Sequence, residues 1–267
     1  MKKKIYISSI LFFIVLVMGM FQYIRNLQDK MLFYPEKLEP DYSFHFSRPH
    51  EEVFLKAEDG TRLHGLLFPK KDTDKVILYF HGNAGSLRSW GEISELFAPY
   101  PYSFLIIDYR GYGKSEGNIN SEEVLVQDAS VFYNYLINTY KPEHIIIYGR
   151  SLGTVPASFL LSQKEVSFGI LETPLYDYAS IAKRFVPLAP TFLLKYKFPI
   201  HQWLKKAKSP VHIFHGTSDE VIPYDLSLRL KSVLKPEDTF TTIEGGGHNN
   251  LSLFSEFREG IDKLFKK

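Results

Sequence analysis

The sequence predicts an α/β fold: a mostly parallel central sheet with helices on both faces and a short helical cap, preceded by one N-terminal transmembrane helix. Apolar runs near 76–80, 103–107, 144–148, 168–172, 210–215 and 239–243 alternate with helix-like stretches near 86–98, 121–140, 153–163, 224–234 and 252–264. Right-handed crossovers between parallel strands require that order. Within it, Gly149-Arg150-Ser151-Leu152-Gly153 joins the run His144–Tyr148 to the helix-like Thr154–Leu161. Ahead of everything, Ile5 to Ile24 carries no charge, about 20 residues and so about 30 Å as a helix.

Composition sets the outer limits. A chain of 267 residues, 45% hydrophobic and 23% charged, buries one sizeable core without covalent staples. The absence of cysteine excludes disulfides and thiolate metal sites and leaves the compartment open. Of the formal charge of +2, Lys2, Lys3, Lys4 and Arg25 supply four, leaving 28 basic against 30 acidic residues from Gln28 onward. That balance gives no support to nucleic-acid binding. No His-Glu-x-x-His pattern occurs, and neither a metal nor a cofactor is expected.

At the N-terminus, Lys2-Lys3-Lys4 before the uncharged run favours a cytoplasmic N-terminus and a main domain across the membrane. A cleaved signal peptide is the competing reading, with Val17-Met18-Gly19 the closest approach to a cleavage site. The expected division is residues 1–27 as anchor, 28–50 as juxtamembrane connector and 51–267 as the main α/β domain. Pro35, Pro40 and Pro49 punctuate the connector, which fully extended reaches roughly 80 Å. Asp59-Gly60 between Val53–Ala57 and Arg62–Phe68 is a hairpin signal. Residues 174–208 interrupt the alternation and read as the cap: four prolines imply short broken helices, and aromatic and aliphatic residues can cover an acyl group. Lys183, Arg184, Lys195, Lys197, Lys205, Lys206 and Lys208 face only Asp177, a balance of +6. Either a solvated helix face or a functional basic patch accounts for it.

Glycine on both sides of a serine, with strand before and helix after, describes a turn tight enough to push a hydroxyl out at a sheet edge. Ser151 is therefore the candidate nucleophile. Gly113-Lys114-Ser115-Glu116-Gly117 repeats the pattern, but no strand ends at Ser115 and no helix follows, so it reads as a glycine-rich loop. A serine needs a base, and the base an acid. Asp219 follows the strand-like Val211–Gly216 and is the candidate acid, with Glu220 its neighbour in register. His248 leaves Thr239–Ile243 through three glycines and is the candidate base. His215 precedes Asp219 and falls outside the order serine, acid, histidine. Backbone N–H donors for an oxyanion are expected from Leu152, after the nucleophile, and from Asn83 in His81-Gly82-Asn83-Ala84-Gly85, after the run Lys75–Phe80.

These segments, with Asp108–Gly117, His215–Pro223 and Glu244–Asn249, together resemble an α/β-hydrolase of the Bem46-like branch over roughly residues 51–267. The branch includes membrane-associated serine hydrolases and, in animals, protein depalmitoylases. The resemblance implies the α/β-hydrolase fold and acyl transfer through Ser151, Asp219 and His248. The eukaryotic depalmitoylases carry an N-terminal cysteine cluster for lipidation; this chain has no cysteine. The expected function is a membrane-anchored serine hydrolase that cleaves a carboxylic ester or thioester of a small or lipid-like acyl substrate. The alternatives are an amidase or peptidase with the same three residues, and a catalytically silent binding protein.

Overall fold

The computed structural model describes residues 2–266, and the side chains of residues 2–11, 13, 17 and 24 lie outside that description. With them fall Lys2–Lys4 and much of the run on which the membrane span was read. Helix α1 covers Lys2–Leu32. Among the described residues no helix is long and apolar enough to cross a membrane.

After α1 come β1 (Tyr34–Pro35), β2 (Glu51–Lys56), β3 (Arg62–Phe68), β4 (Val76–Phe80), β5 (Ala84–Gly85), the short helices α2 (Leu87–Trp90) and α3 (Ser94–Phe97), and β6 (Ser103–Asp108). Then follow α4 (Glu122–Leu136), β7 (Ile145–Arg150), α5 (Thr154–Gln163), β8 (Phe168–Glu172), α6 (Tyr178–Phe185), α7 (Ile200–Leu204), β9 (Val211–Gly216), α8 (Tyr224–Leu228), β10 (Thr239–Ile243) and α9 (Ser255–Phe265). The main sheet has eight strands in the order β10-β9-β8-β7-β4-β6-β3-β2. Pairing is parallel from β10 through β6 and antiparallel at β6–β3 and β3–β2. The hairpin turns at Gly60, whose φ of +83° suits glycine.

Alternation of side chains across a strand explains two cores. Val76, Leu78, Phe80, Ile145 and Ile147 point to one face, under Leu125 and Phe132 of α4 and Val155 and Leu160 of α5. Ile77, Tyr79, Ile146 and Tyr148 point to the other, under Leu87, Phe97, Phe257 and Ile261 from α2, α3 and α9. Every residue of β4 and β6 is buried, as central parallel strands demand. Helix α4 starts where the Ser121 hydroxyl accepts the Val124 N–H. It ends at Leu136 rather than near 140, because Asn138 and Thr139 bond back three residues, to Tyr135 and Leu136, and tighten the last turn.

Residues 174–208 form the broken helices anticipated for the cap: α6, a single turn at Thr191–Leu193, and α7. Part of their positive charge is engaged, since Lys195 pairs with Asp29 at 2.6 Å and Arg184 meets Asp225 at 3.6 Å.

The stretch after residue 27 differs from a free connector. Helix α1 continues to Leu32, and its last turns dock on the cap: Gln28 Nε2 donates to the Leu193 carbonyl at 3.1 Å and Gln28 Oε1 accepts the Lys195 N–H at 2.8 Å. The Tyr196 hydroxyl donates to Asp29 at 2.7 Å. Phe33 then packs edge-on against Tyr196, and β1 pairs in parallel with β5. Local sequence could not reveal this, since the partners stand some 165 residues away in the chain.

Candidate active site

Strand β4 has β6 on one side and β7 on the other, so the chain reverses its direction of growth there. In open α/β sheets the crevice beyond the C-terminal ends of such strands is where ligands bind. Two loops leave the sheet at that point: residues 81–85 after β4, and the elbow 151–153 after β7.

The elbow is strained and crowded. Ser151 has φ +52°, a left-handed conformation rare outside glycine. A Cβ on Gly149 would come within 2.3 Å of the Gly153 carbonyl, and one on Gly153 within 2.0 Å of the Phe80 carbonyl. Each glycine is thus required by close approach, and the second lets the elbow press against the end of β4.

Ser151 Oγ lies 2.9 Å from His248 Nε2, and His248 Nδ1 lies 2.8 Å from Asp219 Oδ2. Asp219 Oδ1 accepts the N–H groups of Val221 at 2.9 Å and Ile222 at 2.8 Å. Burial, the largest single influence, pushes the Asp219 carboxyl up; hydrogen bonds from His215 and His248, the His248 charge and the Ile222 N–H outweigh it and hold the acid well below the usual carboxylate range. A hydroxyl bonded to an imidazole that a buried carboxylate orients can act as an activated nucleophile.

The neighbours weighed against these residues are placed elsewhere. Glu220 is exposed. His215 is buried, with Nε2 on the Ile222 carbonyl at 2.9 Å and 3.3 Å from Asp219, behind the acid rather than before the serine. Ser115 is buried and its hydroxyl is spent on the backbone, donating to the Asp108 carbonyl and accepting the His64 N–H, both at 2.8 Å.

Leu152 is buried in the elbow, and Asn83 stands in the loop after β4. Sequence reasoning missed how thoroughly that loop is held. The Asn83 carbonyl accepts the Tyr34 N–H at 2.9 Å and the Tyr112 hydroxyl at 2.7 Å, while Nδ2 of the Asn83 side chain donates to the Leu32 carbonyl at 3.3 Å. His81 Nδ1 lies 2.7 Å from the Gly82 carbonyl. That carbonyl and the Asn83 N–H share one planar peptide, so the imidazole fixes the direction of the N–H. Burial, opposed by the Asp108 charge and the Gly82 carbonyl, lowers the His81 pKa, and a neutral ring bonding a carbonyl carries its proton on Nδ1. On the other flank, Arg150 bonds Glu172 at 3.2 Å and Asn249 at 3.0 Å and lies over Trp90, bracing the residue after His248. Among the described residues no group of three or more His, Asp or Glu side chains could hold a metal ion.

Residues 71–205 match the family described as serine aminopeptidase, S33. The chain belongs to this family of α/β-hydrolases. The hydrolase is 34% identical over 195 residues to alpha/beta hydrolase domain-containing protein 17B of Xenopus laevis, a match covering 71% of this chain and 65% of that protein. It is 27% identical over 240 residues to an uncharacterized protein of Mycobacterium tuberculosis, covering 88% and 85% of the two chains. Its fold is similar to that of a Pyrococcus furiosus esterase, with a TM-score of 0.68 at 20% identity over 88% of this chain and 97% of that one. The likeness to the esterase shows the fold, and the chain spans just under two thirds of the length of the Xenopus relative. The family match includes the loop 81–85 and the elbow and stops before Asp219 and His248.

Proposed function

We propose that this hydrolase is a membrane-anchored enzyme that cleaves a carboxylic ester or thioester through an acyl-enzyme. The contact that carries the reading is Ser151 Oγ at 2.9 Å from His248 Nε2, with Asp219 behind it at 2.8 Å. His248 takes the proton of Ser151 as the oxygen attacks the acyl carbon, and Asp219 holds the imidazolium that results. The N–H groups of Leu152 and Asn83 receive the oxyanion. His248 returns its proton to the leaving group, then activates the water that releases the acid.

The family description as a serine aminopeptidase favours a second reading, an amidase with the same residues. An aminopeptidase needs a carboxylate free for the substrate ammonium. Glu172, paired in register with Arg150, is already bound by Arg150 at 3.2 Å and by the Tyr148 hydroxyl at 2.6 Å, which weighs toward esters. p-Nitrophenyl esters of rising chain length, run beside an acyl-thioester and an aminoacyl-anilide, separate the readings. Faster turnover of the anilide overturns the ester assignment. Failure of Ser151 to label with a fluorophosphonate makes the protein a silent binder.

The anchor rests on the uncharged run Ile5–Ile24 behind Lys2–Lys4, which orients the N-terminus to the cytoplasm and the catalytic domain to the far side. Carbonate and high-salt washing should leave the protein in the membrane fraction. Release by salt excludes a spanning helix, and a mature N-terminus near Met20 makes the segment a cleaved signal.

A further inference from the structure

The end of α6 and the bend that follows it expose four large apolar side chains within eight residues. Leu188 is 94% exposed, Phe192 83%, Phe185 60% and Val186 57%. Nor is the segment slack: Val186 bonds back to Ala182, Ala189 to Val186, Leu193 to Pro190 and Leu194 to Thr191. Successive turns, with Pro187 and Pro190 between them, therefore hold these side chains outward. Contiguous exposed apolar groups on a shaped surface mark a site of interaction.

Its position relative to α1 identifies the partner. Gln28 grips the Leu193 carbonyl and the Lys195 N–H, and Asp29 grips the Lys195 ammonium and the Tyr196 hydroxyl, so the bend is fastened to the helix. The uncharged run ends at Ile24, four residues before Gln28, and at 1.5 Å per residue that is about 6 Å along the axis. The headgroup layer beside the hydrocarbon is itself about 5–8 Å thick. A helix that spans the bilayer thus carries the bend into that layer. Exposed Lys183 and Arg184 come directly before the bend in the chain, as cations do around apolar groups at a membrane interface.

We infer that the 185–192 bend of the cap is a membrane-dipping loop that inserts Leu188 and Phe192 into the surface of the bilayer in which α1 is anchored. The inference rests on the proposed anchor and adds a second, independent contact: the catalytic domain lies against the membrane with its cap partly immersed. Acyl chains then reach the enzyme from the lipid side. The exposed apolar residues, more than the lysines of the cap, make that contact, since Lys195 is already paired with Asp29.

The absence of cysteine makes the test clean. Val15→Cys, Leu188→Cys, Phe192→Cys and Ile137→Cys full-length chains are each labelled with an environment-sensitive nitrobenzoxadiazole and reconstituted into phosphatidylcholine–phosphatidylglycerol vesicles containing brominated lipid. Quenching by the lipid bromines and a blue-shifted emission are expected at 15, 188 and 192, and neither at 137, an exposed control at the end of α4. Quenching at 15 alone overturns the loop and leaves the anchor standing. Quenching at none overturns both. A label at 188 shielded from iodide yet untouched by lipid bromines shows a second copy of the chain on the patch and also overturns the inference. As a functional counterpart, Leu188→Ser with Phe192→Ser should lower turnover of a long-chain ester held in vesicles and leave that of a soluble short-chain ester unchanged. Equal loss on both substrates counts against it.

Discussion

Two serines share one sequence pattern, and replacing each by alanine separates a reacting hydroxyl from a structural one on two axes at once. Ser115→Ala strips partners from the buried Asp108 carbonyl and the His64 N–H, which meet the hydroxyl at 2.8 Å. Leaving a buried polar group unsatisfied costs about 1–3 kcal/mol, so two such groups amount to roughly 2–6 kcal/mol. At about 2–4 °C per kcal/mol for a domain of this size, Tm should fall by about 4–24 °C. Short-ester hydrolysis at 25 °C should persist, because neither bond reaches Ser151. Ser151→Ala should do the reverse: its hydroxyl bonds His248 at a partly exposed site, so Tm should move by no more than about 2 °C, while kcat falls roughly 10⁶-fold. Thermal melts, p-nitrophenyl butyrate hydrolysis and fluorophosphonate labelling on the same preparations read both axes. A folded Ser115→Ala protein without activity, beside an active and labelled Ser151→Ala protein, would refute the assignment.

Because members of a proton-transfer chain act as a unit, Ser151→Ala and His248→Ala together should cost little more than either alone, and Asp219→Ala roughly 10⁴–10⁵-fold; multiplicative losses in kcat argue against a shared path. Tyr112→Phe removes one of the two donors on the Asn83 carbonyl, a hydrogen bond of about 0.5–1.5 kcal/mol, and should lower kcat about 2–10-fold with KM unchanged. A fall in Tm alone would make Tyr112 merely structural. The Asp219 carboxyl is held below its usual range, so its stabilising contribution is present above the unfolded value of about 3.9 and lost as pH falls through the folded value. Asp219→Asn should therefore flatten the decline of Tm below about pH 4, and parallel Tm–pH curves for the two proteins would show that the linkage is absent.

The sheet was legible in the sequence because its evidence is local: Ile145–Tyr148 and Phe104–Ile107 are apolar runs of strand length, and glycines close the elbow on Ser151. The hairpin at Asp59-Gly60 and the broken helices of the cap could be read from turn residues and prolines. The order serine, acid, histidine singled out three side chains that the fold brings within hydrogen-bond distance of one another. Illegible were contacts between distant segments. Gln28 and Asp29 look like ordinary polar residues beyond an apolar run until Lys195 and Tyr196 are seen against them. His81 sits in a strand-end turn whose sequence gives no sign that its ring bonds the next carbonyl. The end of α4 was misjudged by about one turn, since nothing in Ile137–Tyr140 forbids a helix and only the bonds actually formed stop it.

The short ladder between Tyr34–Pro35 and Ala84–Gly85 would make the outcome of proteolytic release depend on where the chain is cut. A protease that cuts ahead of Gln28 frees a domain in which Tyr34–Pro35 still straps the loop 81–85, and such a product should stay competent. A cut at residues 38–43 leaves the segment ending in Tyr34–Pro35 held by non-covalent contacts alone, those of Gln28 and Asp29 on the cap among them, and on its dissociation Asn83 loses the Tyr34 and Leu32 contacts together. The place of cleavage, more than the fact of it, decides whether a released domain works. Comparing short-ester turnover of the two shed products tests this, and equal rates would show that the strap only tethers.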